Sequence, residues 1–99
     1  MLEKDQVLSL LQESIQSLRR SGIIEAEMDV EPDTVLLGTG SSLDSMGFVT
    51  FVTDVEERLN RETGKDLYIV LTELEERYPG AASLSAAMFA DYLVTLTAA

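Results

Sequence analysis

The chain has no cysteine and no histidine. Lack of cysteine excludes a disulfide framework, a thiolate nucleophile of its own and a cysteine-held zinc cluster. Lack of histidine removes the commonest general base near neutral pH and every Ser-His-Asp arrangement. Basic residues are also scarce: seven Lys and Arg stand against eighteen Asp and Glu, a formal net charge of −11. That balance argues against nucleic acid, whose phosphates are held by Lys and Arg, and against anionic membrane surfaces. No apolar run approaches membrane-spanning length, and the polar start, Met1 to Gln6, lacks an apolar signal core. These absences point to a cytoplasmic protein without membrane insertion. With neither of the usual catalytic side chains and no convergent pocket motif, an enzyme is not expected, nor is a metal site.

What remains is a globular composition. Ninety-nine residues, 45% of them apolar, suit one domain spanning 1–99 with a modest core and no deep catalytic pocket. A monomer is expected. The natural complement of so acidic a surface is a protein partner with basic patches.

Hydrophobic periodicity predicts helices. Val7, Leu8, Leu11, Ile15 and Leu18 recur at helical spacing over Lys4–Arg20, with Arg19 and Arg20 suited to the C-terminal end of the dipole and Gly22 as the stop. From Ile23 to Leu43 the period fails. Pro32, Gly38 and Gly40 interrupt an acidic stretch, so a long loop is expected, pinned to the core by Ile23, Ile24, Val35, Leu36 and Leu37. Asp29, Glu31 and Asp33 imitate the opening ligands of a calcium loop, but Thr34 stands where the turn needs glycine and Gly40 where a bidentate Glu belongs. A calcium site is rejected on that ground.

A second helix is predicted from Asp44 or Ser45 to about Arg61, with Phe48, Phe51, Val52, Val55 and Leu59 as its apolar stripe and Gly64 at its end. Leu67 to Val70 are β-like by propensity but have no evident partner strand, so they are placed in a buried loop. Thr72-Glu73-Leu74-Glu75 has capping-box spacing and opens a short helix to about Tyr78, ended by Pro79-Gly80. Ser83 is expected to cap a last helix to about Leu96, with Leu84, Met88, Phe89, Tyr92, Leu93 and Leu96 inward. The expected fold is all-α, a bundle of three longer helices and one short one with a long loop between the first two.

The candidate for chemistry is Ser45, where a Gly/Thr/Ser loop gives way to the second helix. Asp44 is a good N-cap, and a hydroxyl beside it lies at the positive end of the helix dipole, a favourable place for a phosphate-linked group. Gly47 leaves room around the attachment point. No base lies beside Ser45 in sequence and no histidine exists to supply one, so the serine is a substrate for another protein's catalysis rather than a self-activated nucleophile. A plain helix cap is the competing interpretation of the same tripeptide.

Leu43-Asp44-Ser45-Met46, followed by Val49, Val52, Val55-Glu56-Glu57 and Leu59, and then by Arg61 to Leu67, resembles the acyl carrier protein family. The order of segments, the small size, the acidity and the lack of cysteine are similar too. The resemblance implies an acyl-carrier-like four-helix fold in which Ser45 carries 4′-phosphopantetheine as cofactor, attached by a phosphopantetheinyl transferase that recognises Asp44. It implies that an acyl- or aminoacyl-loading ligase supplies the cargo, which travels as a thioester to downstream synthase enzymes of fatty acid, polyketide or related biosynthesis. Met46, Asp54, Glu57 and Glu62 are the implied docking residues for partners with basic patches. The family's leucine after the serine is Met46 here, the acid of its Val-Glu pair is Thr50, and the region after Gly64 is longer. Those departures favour a specialised carrier. The alternatives are an aminoacyl or peptidyl carrier and an unmodified acidic interaction module. Phe48, Phe51, Val52, Met88, Phe89 and Leu93 are expected to form the core or to line a cavity for a short acyl chain bordered by Tyr68 and Ile69.

Overall fold

The first helix, α1 (Lys4–Arg20), starts where the Glu3 amide donates to the Gln6 side-chain oxygen at 2.8 Å, which satisfies the chain at its entry. It stops in a Schellman turn. Gly22 adopts φ +76°, its amide reaches the Arg19 carbonyl, and the Ile23 amide reaches the Leu18 carbonyl, each at 3.0 Å. The computed structural model describes residues 2–24, 29–38, 41, 43–80 and 83–98, with residue 45 described by its backbone alone. The Ala81–Ala82 link, part of the Gly/Thr/Ser loop (Thr39, Gly40, Ser42) and the chain from Glu25 to Met28 lie outside those residues.

The elements that follow are β1 (Val35–Gly38), α2 (Ser45–Thr63), α3 (Leu71–Arg77), β2 (Ser83–Ser85) and α4 (Ala86–Ala98). Helix α1 packs against both α2 and α4. Val7, Leu11, Ile15 and Leu18 from α1, the expected stripe of α2, and Phe89 and Leu93 from α4 are buried together. At the centre Phe48, Phe51 and Phe89 meet as a tilted trio with ring centroids 6.1 to 6.4 Å apart. Burial of side chains of this size stabilises the fold by about 1.5–3 kcal/mol each, and the ring separations lie within the range at which aromatic pairs attract.

The expectation of an all-α fold needs correction. Four helices are present, but β1 and β2 form a two-stranded antiparallel sheet, with Val35 opposite Ser85, Leu37 opposite Leu84 and Gly38 opposite Ser83, and an irregularity between Val35 and Leu37. The stretch from Ile23 to Leu43 is therefore not wholly loop. Leu36 and Ile24 are buried in the core and Val35 is half-buried, whereas Ile23 and Leu37 are exposed. Two strands this short cannot stand alone. They are held because the loop before β1 also satisfies the start of α4: the Ala86 amide donates to the Thr34 carbonyl at 2.8 Å and the Ala87 amide to the Pro32 carbonyl at 2.9 Å.

Three local expectations shift with this. Ser83 lies in β2 rather than capping α4; the capping hydroxyl is that of Ser85, which accepts from the Met88 amide at 3.2 Å. Helix α3 is entered from Val70, whose carbonyl accepts from the Glu73 amide at 3.0 Å, so Thr72 sits inside the helix instead of capping it. Leu84 packs from the sheet and not from α4. The connector from Leu67 to Val70 is non-strand, as its lack of a partner suggested. Its amides are taken by side chains: Leu67 donates to Asn60 Oδ1 at 2.7 Å, Ile69 to Glu56 Oε2 at 2.8 Å and Val70 to the Tyr92 hydroxyl at 3.2 Å. The loop is not buried as expected: Leu67 and Ile69 are half-buried against the core, while Tyr68 and Val70 are exposed.

Candidate functional site

Ser41 sets the approach to α2. Its hydroxyl donates to the Leu36 carbonyl at 2.7 Å and accepts from the Leu43 amide at 3.0 Å, tying the loop end to β1. Leu43 is buried, which fixes the chain just before the helix. Asp44 then takes extended backbone angles and caps α2, its carboxylate accepting from the Gly47 amide at 2.6 Å while its carbonyl accepts from the Phe48 amide at 2.9 Å. Ser45 is the first helical residue. Helix geometry leaves the amides of residues 45 and 46 without an intrahelical carbonyl, so the positive end of the dipole is at this position.

Gly47 has a different role from the expected one. It is buried, and a Cβ there would lie 3.0 Å from Asp44 Oδ1 and 3.6 Å from Ile24 Cγ2. Its small size serves the close approach of the cap carboxylate and Ile24; the space is filled by the protein itself. Met46, by contrast, is 81% exposed and Val49 is 53% exposed. These two apolar side chains stand one turn apart on the solvent side of α2.

An apolar groove opens one turn beyond Ser45. Phe48 and Val49, three and four residues further along the helix, lie on the same face as Ser45. The groove encloses about 390 Å³ between α2, α3 and the β1–β2 sheet, at the lower end of the range of small-molecule sites, about 300–1,000 Å³. Buried Phe48 and Leu74 form its floor, half-buried Leu84 and Met88 its walls, and exposed Leu37, Val49, Leu71 and Glu75 its rim. Tyr78 closes one side, its hydroxyl donating to the Met88 carbonyl at 3.0 Å.

Of the residues expected around a cavity, Phe48 and Met88 line this groove, whereas Phe51, Phe89 and Leu93 are wholly core. Tyr68, 71% exposed, and Ile69 do not border it. Sequence reasoning missed Leu37, Leu71 and Leu84. Leu71 was legible as the apolar residue at the entry to α3. Leu37 and Leu84 are brought together only by strand pairing, for which local periodicity carries no signal.

The acidic residues of α2 divide into two kinds. Glu57 is exposed and pairs with Arg61 at 3.4 Å, and Glu62 is exposed at the helix end. Asp54 is turned inward. Its Oδ2 accepts from the buried Ser14 hydroxyl at 2.6 Å and from Arg58 Nε at 2.6 Å, and its side chain is only 24% exposed. That carboxylate is committed to holding α2 against α1. Met46, Glu57 and Glu62 remain on the surface.

Among the described residues, no group of three or more acidic side chains converges as a metal site, and no helix is long and apolar enough to cross a membrane. Among the described residues, the phenol of Tyr92, on α4, is shifted from its ordinary pKa. Burial raises the Tyr92 phenol above its ordinary value of 10.0; the Val70 amide opposes the rise and the Glu73 carboxylate adds to it. Comparison with family models, curated proteins and solved structures finds no match for the chain.

Proposed function

We propose that the chain is a carrier protein: Ser45 receives 4′-phosphopantetheine from a phosphopantetheinyl transferase, and acyl or related intermediates ride on that arm between enzymes of fatty acid, polyketide or related biosynthesis. The observation that carries the proposal is the placement of Ser45 at the first position of α2, beside the Asp44 cap, with an apolar groove one turn away on the same helix face. A phosphodiester at that position meets the positive end of the helix dipole. The groove is apolar and of small-molecule size, which fits a group that carries an apolar chain.

When attached, the group supplies the thiol that the chain lacks. The chain's own residues position and present. Asp44 holds the first turn of α2, so residue 45 keeps a defined place at the helix start. Met46 and Val49 offer apolar contact to a partner, with Glu57 and Glu62 as the acidic rim that meets basic patches on loading ligases and synthases. Rim charges of this kind act mainly on encounter rate and contribute little affinity individually. The protein itself performs no catalysis in this scheme.

The test is intact mass after incubation with coenzyme A and a promiscuous phosphopantetheinyl transferase. One phosphopantetheine adduct is expected on the native chain and none on Ser45→Ala. No adduct, or one that persists in Ser45→Ala, would overturn the proposal. Undiminished binding of Ser45→Ala to a native partner would then favour an unmodified acidic interaction module.

A further inference from the structure

Residues 45–53 contain no ionisable side chain, although the chain as a whole carries eighteen acids and seven bases. They form the first turns of α2 and span about 12 Å of helix axis. Phe48, Phe51 and Val52 go into the core, and Gly47 is buried. The outward side is therefore made by exposed Met46, Val49 and Thr53 and half-buried Thr50. Both threonines turn their hydroxyls back on the helix: Thr50 Oγ1 donates to the Met46 carbonyl at 2.9 Å and Thr53 Oγ1 to the Val49 carbonyl at 3.0 Å. A donor satisfied within its own helix needs no acceptor from a covering surface, so burying this face strands no hydroxyl proton.

Charged groups stand around the face, not on it. The Asp44 carboxylate, at its N-terminal edge, is held by the Gly47 amide. Asp54 is turned toward Ser14 and Arg58. Glu57, the next outward residue, lies about 18 Å along the axis from Ser45 and pairs with Arg61. Beside Val49 the groove carries the apolar surface on to exposed Leu37 and Leu71. Glu75 and the Arg77 guanidinium over the Tyr78 ring, opposite in sign, lie on its α3 side.

An enzyme that takes residue 45 into its active site has to cover the turns that follow. A specific contact buries about 800 Å² on each partner, a flat patch of about 16 Å radius. Centred near Ser45, such a patch has Met46, Val49, Thr50 and Thr53 at its middle and reaches Glu57 only at its edge. We infer that an enzyme acting on Ser45 meets α2 through an apolar surface that carries no Lys or Arg opposite residues 46–53, and that Met46, Val49 and Thr53, not the acids of the helix, supply the affinity. The inference rests on the carrier proposal for the enzyme's visit to Ser45 and adds the chemistry of the surface that the enzyme presents. A base placed there would be buried with no carboxylate to meet, which disfavours partners that carry one. The acidic rim acts on approach, and the uncharged centre decides which enzyme stays bound.

The rate of arm attachment reads this contact. Adduct formation from coenzyme A by the promiscuous phosphopantetheinyl transferase is followed by intact mass over a range of carrier concentrations. Met46→Ala is expected to raise KM about ten-fold, by the same factor at low and at high salt, because an uncharged contact is not screened. Val49→Glu and Thr53→Glu, both at exposed positions, are expected to raise KM by about ten-fold or more, since each sets a carboxylate against an apolar surface. Ser9→Glu, at an exposed position of α1, adds the same charge away from α2 and is expected to leave KM unchanged. Circular dichroism checks that the variants keep the native fold. A native KM in Val49→Glu and Thr53→Glu, a Met46→Ala loss that vanishes at high salt, or a larger loss in Glu57→Gln than in Met46→Ala overturns the inference while the adduct on the native chain upholds the carrier proposal. Absence of any adduct on the native chain overturns the carrier proposal, and this inference with it.

Discussion

Asp54 lies on the acidic helix that would meet partners, yet its carboxylate points into the protein, and substitution there separates a docking role from a structural one. Asp54→Ala removes the acceptor of the Ser14 hydroxyl, a donor on a side chain with 0% exposure, and the partner of Arg58. A hydrogen bond to a charged group contributes about 1.5–3 kcal/mol. The Arg58 pair is partly solvated, with both side chains 24% exposed, and adds no more than about 1 kcal/mol. The expected loss is therefore about 2–3 kcal/mol, or a fall in Tm of about 8–24 °C for a domain of this size. Asp54→Asn keeps an oxygen for Ser14 and loses only the ionic part, so it should cost about 1 kcal/mol or less. A double-mutant cycle with Ser14→Ala should return a coupling of about 1 kcal/mol across the α1–α2 contact. Urea denaturation followed by circular dichroism measures all five proteins. If Asp54→Ala unfolds within about 0.5 kcal/mol of the native chain, or the cycle shows no coupling, the carboxylate is a free surface charge and the assignment is wrong.

Two further substitutions test the site and the connector that shapes it. Asp44→Ala should lose about 1 kcal/mol of stability while Asp44→Ser, an equivalent cap, should lose almost none. Both should slow attachment of the arm if Asp44 is read by the transferase, and attachment to Asp44→Ser at the native rate would leave Asp44 as a cap alone. Tyr92 fastens the start of α3 through Val70 and Glu73, and its phenol is raised by burial. The folded state thus holds the phenol proton more tightly than the unfolded chain, so this stability is fully present below about pH 10 and is lost as pH rises through the folded value, by up to about 1.4 kcal/mol per pH unit. Tyr92→Phe should flatten that alkaline loss in pH-dependent unfolding while costing about 1 kcal/mol at neutral pH; an unchanged alkaline limb would count against the burial argument.

The legibility of the fold follows the range of the interactions. Helix α1 was readable in its extent and its C-terminal stop because its stripe, its basic last turn and Gly22 are all local signals. The start of α2 at Asp44 and its end at Gly64 were readable for the same reason: a cap needs a short acceptor side chain, and the left-handed stop at φ +68° needs glycine. Thr72 misled because capping-box spacing is only a local possibility, whereas Val70 is held at the helix entry by the Tyr92 hydroxyl, a partner far away in sequence. Ser83 misled because its backbone is claimed by Gly38, far away in sequence.

By itself, the sequence determined where the four helices lie to within a few residues, which faces they bury, and that Ser45 stands at a helix start in a chain without histidine. Those properties rest on side-chain period and on composition, which are local. The tertiary structure alone decided that β1 and β2 pair, that the space at Gly47 belongs to Ile24, that Asp54 faces Ser14, and that Leu37 and Leu84 meet along an apolar groove. Each of these joins residues distant along the chain, and no local preference records which distant partner will be cheapest to bury.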